Sequence, residues 1–148
     1  MKTLLCRTEA ETEALGGRLV QGLPLPARVM LYGDLGAGKT ALVRGMGRAL
    51  GTEDVMSPTF TIIHEYDTVP PLVHIDAYRL DGGEALLDIG FSDYLNAGNI
   101  IVVEWAELVE DVLPVERLNI RITAAPDGIR ELTLTPVGKV YERTVEAL

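Results

Sequence analysis

Basic charge is scarce in this chain: 13 lysines and arginines face 22 aspartates and glutamates, a net charge of −9. No lysine or arginine cluster occurs, which argues against tight, direct nucleic-acid binding by the chain alone. Such an acidic surface suits a basic protein partner instead. Cysteine is nearly absent too. Cys6 stands alone, so no internal disulfide can form, which fits a reducing cytoplasm. Placed beside a short apolar run, it reads as a packing residue rather than a nucleophile. Two phenylalanines and one tryptophan leave the core to Leu, Val, Ile and Ala. No apolar run approaches the ~20 residues of a membrane span. The apolar patch in Met1–Arg7 is too short for a signal peptide. With 148 residues, 47% of them apolar, the chain is expected to form one α/β domain, 1–148, burying about two-thirds of its unfolded surface.

Against these absences stands one stretch rich in glycine, Gly33-Asp34-Leu35-Gly36-Ala37-Gly38-Lys39-Thr40. It fits G-x-x-x-x-G-K-[ST], the phosphate-binding P-loop. Its glycines let the backbone close around a phosphate, so that successive N–H groups form an anion nest. The following helix adds the positive end of its dipole. Lys39 supplies a charge for the β- and γ-phosphates, and the Thr40 hydroxyl is a hard ligand for Mg²⁺. So short a pattern depends on its context. Arg28–Tyr32 reads as a buried parallel strand before it. Leu42, Val43, Met46, Ala49 and Leu50 mark one face of a helix after it, stopped by Gly51.

Elsewhere, Leu4–Cys6 predicts a short strand. Thr8 and Glu11 form a capping box for a helix running to about Gln21, which buries Ala14 or Leu15, and Leu19. Gly22 and Pro24 stop that helix, and Pro24 and Pro26 stiffen the connector. Ser57-Pro58-Thr59-Phe60 is a loop leading into a strand over 60–66, which pairs with Leu72–Asp76 as a hairpin. Short helices are expected near 85–87 and 93–95, and a helix over 106–113 closed by Pro114. Ile100–Val103, ending in Glu104, is the strongest buried-strand signal. Segments 117–122 and 131–135 alternate in polarity around the turn Pro126-Asp127-Gly128. The tail from Lys139 reads as a short strand or a helix. The fold expected is a mixed, mostly parallel sheet flanked by helices, with an antiparallel hairpin near the C-terminus.

A P-loop needs a carboxylate near Mg²⁺ at the carboxyl end of a buried strand. Glu104 and Asp76 both qualify. Glu104 is assigned to the metal, directly or through water, and Asp76 to orienting the attacking water or to the metal's outer shell. Thr59 sits in a loop that either closes over the γ-phosphate or is an ordinary turn. Trp105 either shields the site, meets a partner or, as a lone tryptophan more often does, belongs to the core. Arg79 is a candidate arginine finger, with a salt bridge to Asp81 or Glu84 as the simpler reading. His64 and His74 read as sheet residues, without the neighbours a metal needs.

Taken together, residues 33–40, Ser57-Pro58-Thr59-Phe60, His74-Ile75-Asp76-Ala77-Tyr78-Arg79-Leu80 and Glu104-Trp105-Ala106-Glu107 closely resemble the bacterial TsaE (YjeE) family. Gly90-Phe91-Ser92-Asp93-Tyr94 extends the resemblance over nearly the whole chain. The resemblance implies a slow Mg²⁺-dependent ATPase that joins TsaB and TsaD in placing threonylcarbamoyl on adenosine 37 of tRNA. It implies ATP held by Asp34, Leu35, Gly36, Ala37, Gly38, Lys39 and Thr40. Thr40 and Glu104 are then the Mg²⁺ ligands, Asp76 and Trp105 are needed for hydrolysis, and Thr59 lies in a switch loop. Thr8 to Thr12 resembles the family's adenine-side segment. Two rivals remain at this point: a small-molecule P-loop kinase, though the region after the P-loop helix carries few arginines for a lid, and a nucleotide-gated scaffold without turnover. A GTPase is disfavoured, since no Asn-Lys-x-Asp sequence occurs.

Overall fold

A computed structural model describes residues 1–34, 36–53, 55 and 62–148. Its elements run β1 (Lys2–Cys6), α1 (Glu9–Gln21), β2 (Ala27–Tyr32), α2 (Lys39–Leu50), β3 (Ile63–Tyr66), β4 (Leu72–Asp76), α3 (Gly83–Asp88), α4 (Phe91–Leu95), β5 (Ile100–Glu104), β6 (Arg117–Ala124), β7 (Arg130–Val137) and α5 (Glu142–Glu146). All seven strands join one sheet in the order β1-β7-β6-β2-β5-β4-β3. Its centre, β6-β2-β5-β4, is parallel, while β3, β7 and β1 pair antiparallel at the flanks. Both expected hairpins form, and the sheet is mixed as expected. Parallel and antiparallel pairings are equal in number among the described residues, because β1 closes the far edge against β7.

Helices cover both faces of the centre, and the strand sequences reflect it. Every residue of β2 is buried. Val29 and Leu31 pack with Ile100, Val102, Leu15, Leu42 and Met46 on one side. Met30 and Tyr32 pack with Val73, Ile75, Val103, Leu86 and Phe91 on the other. Leu15, not Ala14, is buried in α1, as is Leu19, and Cys6 lies in the core as a packing residue. Arg28 is the exception within an apolar run. Its guanidinium is buried, and it donates to the carbonyls of Ala27, Leu95, Ala97 and Asn99 and to Asn99 Oδ1 at 2.8–3.3 Å. Burial draws its pKa below the usual arginine value.

Two local expectations are corrected. The segment after β5 is not one α-helix but two 3₁₀ turns, Ala106–Leu108 and Glu110–Val112. Between them Val109 takes φ −133°, outside helical geometry, and its side chain is buried in the core. Ala49 is exposed, in the last turn of α2, while Leu42, Val43 and Met46 are buried. The tail resolves as the helix α5.

Glycine sets how closely α1 and α2 approach. A Cβ at Gly45 would stand 1.9 Å from the Glu13 carbonyl oxygen, and one at Gly16 would stand 2.2 Å from that of Leu42. Backbone therefore rests on backbone where the helices cross. Salt bridges from Arg44 to Glu9 and Glu13, and from Arg48 to Glu13, flank the crossing. Gly17, one position along, would meet only ordinary contacts at 3.7 Å and beyond. Gly45→Ala should therefore destabilise the fold by about 1–3 kcal/mol through overpacking. Gly17→Ala should be neutral or stabilising by up to about 1 kcal/mol through helix propensity. Urea denaturation of the two variants checks this, and equal effects would contradict the close crossing.

Candidate functional site

The parallel centre of the sheet brings the carboxyl ends of β2, β5 and β4 to one edge. β2 leaves that edge through Gly33, whose φ is +147°. A Cβ there would lie 2.4 Å from the Ile122 carbonyl oxygen of β6, so only glycine lets the loop start where it does. Gly36 and Gly38 also adopt positive φ, +80° and +111°. Gly38 caps α2, accepting from Leu42 N–H at 3.1 Å. Lys39 and Thr40 then open the helix on the cleft side.

Lys39 is only 5% exposed. Its ammonium donates to the Gly33 carbonyl oxygen and lies 3.7 Å from the centre of the Trp105 ring, a cation–π contact. Burial pulls its pKa below the ordinary lysine value, opposed first by the carboxylate of Glu104 and then by those of Glu107, Asp76 and Asp34. Trp105 reaches this position through a left-handed backbone, φ +59° and ψ +40°, uncommon for a side chain of its size and of a kind found where a site demands it. Its ring also meets Tyr78 at 5.0 Å.

Glu104 ends β5 and is buried. In the register of β4 and β5 it stands opposite Asp76. One carboxylate oxygen, Oε2, is held by His74 Nε2. His74 itself is fully buried two residues before Asp76. Asp76 accepts from the Tyr78 N–H at 3.0 Å. Burial pushes the Asp76 pKa up, partly offset by that amide, and the Glu104 carboxylate raises it further.

A cleft of about 350 Å³ runs along this edge, and its walls include Thr8, Thr12, Gly36, Gly38, Lys39, Thr40, Asp76, Glu104 and Trp105. Most of the residues singled out from the sequence therefore meet here. Asp34 and Ala37 do not line it, and the Ala37 side chain belongs to the core. Leu35 and Thr59, with the rest of Ser57–Phe60, lie outside the described residues. Arg79 is not in the cleft wall, and among the described residues it forms no ion pair with Asp81 or Glu84. His64 stacks on Tyr66 as a sheet residue. Sequence reasoning missed the clamp from His74 to Glu104 and the arginines of the cleft wall, Arg7, Arg44 and Arg130. Among the described residues no three carboxylate, imidazole or thiol groups converge as a metal cage. No helix among them is long and apolar enough to cross a membrane.

A mixed sheet with a glycine loop between a buried parallel strand and a helix, and two acids at the neighbouring strand ends, defines an α/β protein with its cleft at the carboxyl edge. Comparison with known proteins narrows this. The family model of the threonylcarbamoyl adenosine biosynthesis protein TsaE matches residues 6–132, and the chain belongs to that family. A tRNA threonylcarbamoyladenosine biosynthesis protein TsaE from Bacillus subtilis is 46% identical, over 100% of this chain and 95% of its own length. One from Streptomyces coelicolor is 44% identical, over 84% and 90%. The crystal structure of Bacillus subtilis YdiB superposes with a TM-score of 0.78 at 41% identity, covering 99% of this chain and 93% of that one.

The raised Asp76 pKa carries a stability consequence. In the fold its ionised form is disfavoured, so the native state binds a proton more tightly than the unfolded chain does, and ionisation costs stability once pH exceeds the unfolded value. Below that value both states are protonated and the cost vanishes. Asp76→Asn should therefore raise Tm at pH 7.5, with a smaller gain at pH 4. Thermal melts at both pH values check the sign; a gain that grows toward acid contradicts it.

Proposed function

We propose that this chain is a P-loop ATPase that binds Mg–ATP in the cleft and hydrolyses it slowly. Its role is in threonylcarbamoyladenosine modification of tRNA adenosine 37, in the cytoplasm, with TsaB and TsaD as partners. One observation carries the reading: Lys39, Thr40, Asp76 and Glu104 converge around a glycine loop at the carboxyl edge of parallel strands. Its family membership supplies the pathway.

The donor set suits Mg²⁺. This ion keeps several waters and takes one or two protein oxygens plus phosphate, not an all-protein cage. Thr40 and Glu104 would hold it, and it would supply Lewis-acid charge at the phosphates. The chain's own residues do the rest. His74 fixes Oε2 of Glu104 and so sets the direction of the carboxylate. Lys39, in a water-poor setting under Trp105, holds the β- and γ-phosphates through an attraction that the low local dielectric strengthens. Asp76, oriented by the Tyr78 amide, would hold the attacking water, and its raised pKa makes it more basic than an ordinary aspartate. Trp105 excludes bulk water from the ammonium. With a net charge of −9, the chain leaves the tRNA to its partners.

Lys39→Ala removes a charge-assisted contact of about 1.5–3 kcal/mol and should weaken Mg–ATP binding roughly tenfold to a hundredfold, measured by titration calorimetry. Unchanged affinity would sink the site. Glu104→Gln should keep most nucleotide affinity while Mg²⁺-dependent turnover, assayed with TsaB and TsaD present, drops by at least about tenfold. Equal losses of binding and turnover would show that the Glu104 role is misassigned, and wild-type binding without turnover would favour a nucleotide-gated scaffold.

A further inference from the structure

The cleft has two chemically different ends. Asp76 and Glu104 bound it on the β4–β5 side, whereas Arg7 and Arg130 bound it on the β1–β7 side. Arg130 is the first residue of β7, paired with Cys6 of β1 and Ala124 of β6. Its guanidinium lies across the glycine loop. Nη2 donates to the Gly36 carbonyl at 3.2 Å and Nη1 to the Gly128 carbonyl at 3.4 Å. Nε sits 3.6 Å from where a Gly38 Cβ would be. Arg44, also in the cleft wall, is neutralised by Glu9 and Glu13. Arg130 has no carboxylate partner among the described residues. Carbonyl bonds hold a guanidinium in place without cancelling its charge. In a strongly acidic chain, that leaves a positioned cation facing the same space as Lys39.

We infer that Arg130 is a nucleotide-orienting residue that contacts the α-phosphate and nucleoside end of the ligand. The inference rests on the nucleotide reading above and adds a direction to it. Strands β5 and β7 are three places apart in the sheet, roughly 14 Å at ~4.8 Å per spacing. The metal-bearing end of a triphosphate belongs beside the acids, so the side chain that reaches back from β7 to Gly36 and Gly38 meets the other end. That end is common to ATP and ADP and does not change during phosphoryl transfer. Its contacts therefore add uniform binding, expressed in affinity and KM rather than in kcat.

The test compares wild type, Arg130→Gln and Arg130→Lys in the full chain. Kd is measured for Mg–ATP and Mg–ADP, kcat and KM for ATP hydrolysis with partners present, and thermal melts monitor the fold. Arg130→Gln should weaken ATP and ADP by the same factor, about tenfold, and kcat/KM should fall almost entirely through KM. Arg130→Lys, which keeps the charge, should recover part of the loss and serves as the readout if the glutamine variant does not fold. Loss of ATP affinity with ADP unaffected, or a fall carried by kcat, would move Arg130 to the transferring phosphate and overturn the inference. So would unchanged affinity for both nucleotides, which leaves it a brace for the loop. A wild-type chain that binds neither nucleotide overturns the underlying reading as well, and the wild-type titration alone distinguishes that case.

Discussion

One ammonium group ties together the pieces of chain on which this site depends. Lys39 belongs to the first turn of α2, its carbonyl partner Gly33 to the exit of β2, and the ring over it, Trp105, to the exit of β5. A buried charge is tolerated only when it is paired or well bonded. Each of the three segments is therefore constrained by the needs of the other two. The left-handed backbone at Trp105, costing of order 1–3 kcal/mol, is intelligible in this light: it ends β5 and sets the indole against the ammonium. The acids at the ends of β4 and β5 complete the arrangement, since their charge offsets part of the desolvation of Lys39.

This arrangement bears on how a phosphate would be recognised. The Gly33 carbonyl and the Trp105 face already satisfy Lys39 in part, so a phosphate gains only the difference between its own contacts and those it replaces. The same logic applies to Arg130 and the Gly36 carbonyl. Cations parked on backbone carbonyls are pre-positioned, and they lose less conformational freedom on meeting a ligand than free side chains would. The local chemistry also reconciles a cleft with a positive end and an acidic protein: Lys39 and Arg130 converge on the cleft, whereas most of the 22 acids lie outside its wall.

Much of this was legible in the sequence, and the divide is physical. Contiguous signals were read well. The unbroken apolar stretch of β5 marked a strand covered on both faces, and its end marked Glu104. Alternation marked β6 and β7, and the Thr8–Glu11 pattern marked the start of α1, where Glu11 N–H does bond to Thr8 Oγ1. What escaped was set by register between distant strands. His74 and Glu104 are thirty positions apart, and nothing local says that β4 and β5 are neighbours. Arg130 and Gly36 are ninety-four apart and meet because β7 inserts between β6 and β1. Arg79 misled for the opposite reason: proximity in sequence to Asp81 and Glu84 suggested a pairing that the turn after β4 does not make. The break at Val109, likewise, is decided by what its side chain must pack against.

The glycine crossing of α1 and α2 links stability to the site. Both helices begin at the cleft edge, α1 behind Thr8 and α2 at Lys39, so the distance between their first turns is set by how closely their middles pack. Where side chains mediate a crossing, rotamers can adjust to small changes. Here the Glu13 carbonyl rests on Gly45 and the Leu42 carbonyl faces Gly16, and backbone atoms have no such freedom. The separation between Thr8 and Thr12 on one wall and Lys39 and Thr40 on the other is therefore held by covalent geometry and hard contact. A loosening of the crossing large enough to admit one methyl group would displace the whole first turn of α1, since a helix moves as a stiff body. Gly16 and Gly45 lie outside the cleft wall, yet they fix the width of the cleft that any ligand must span.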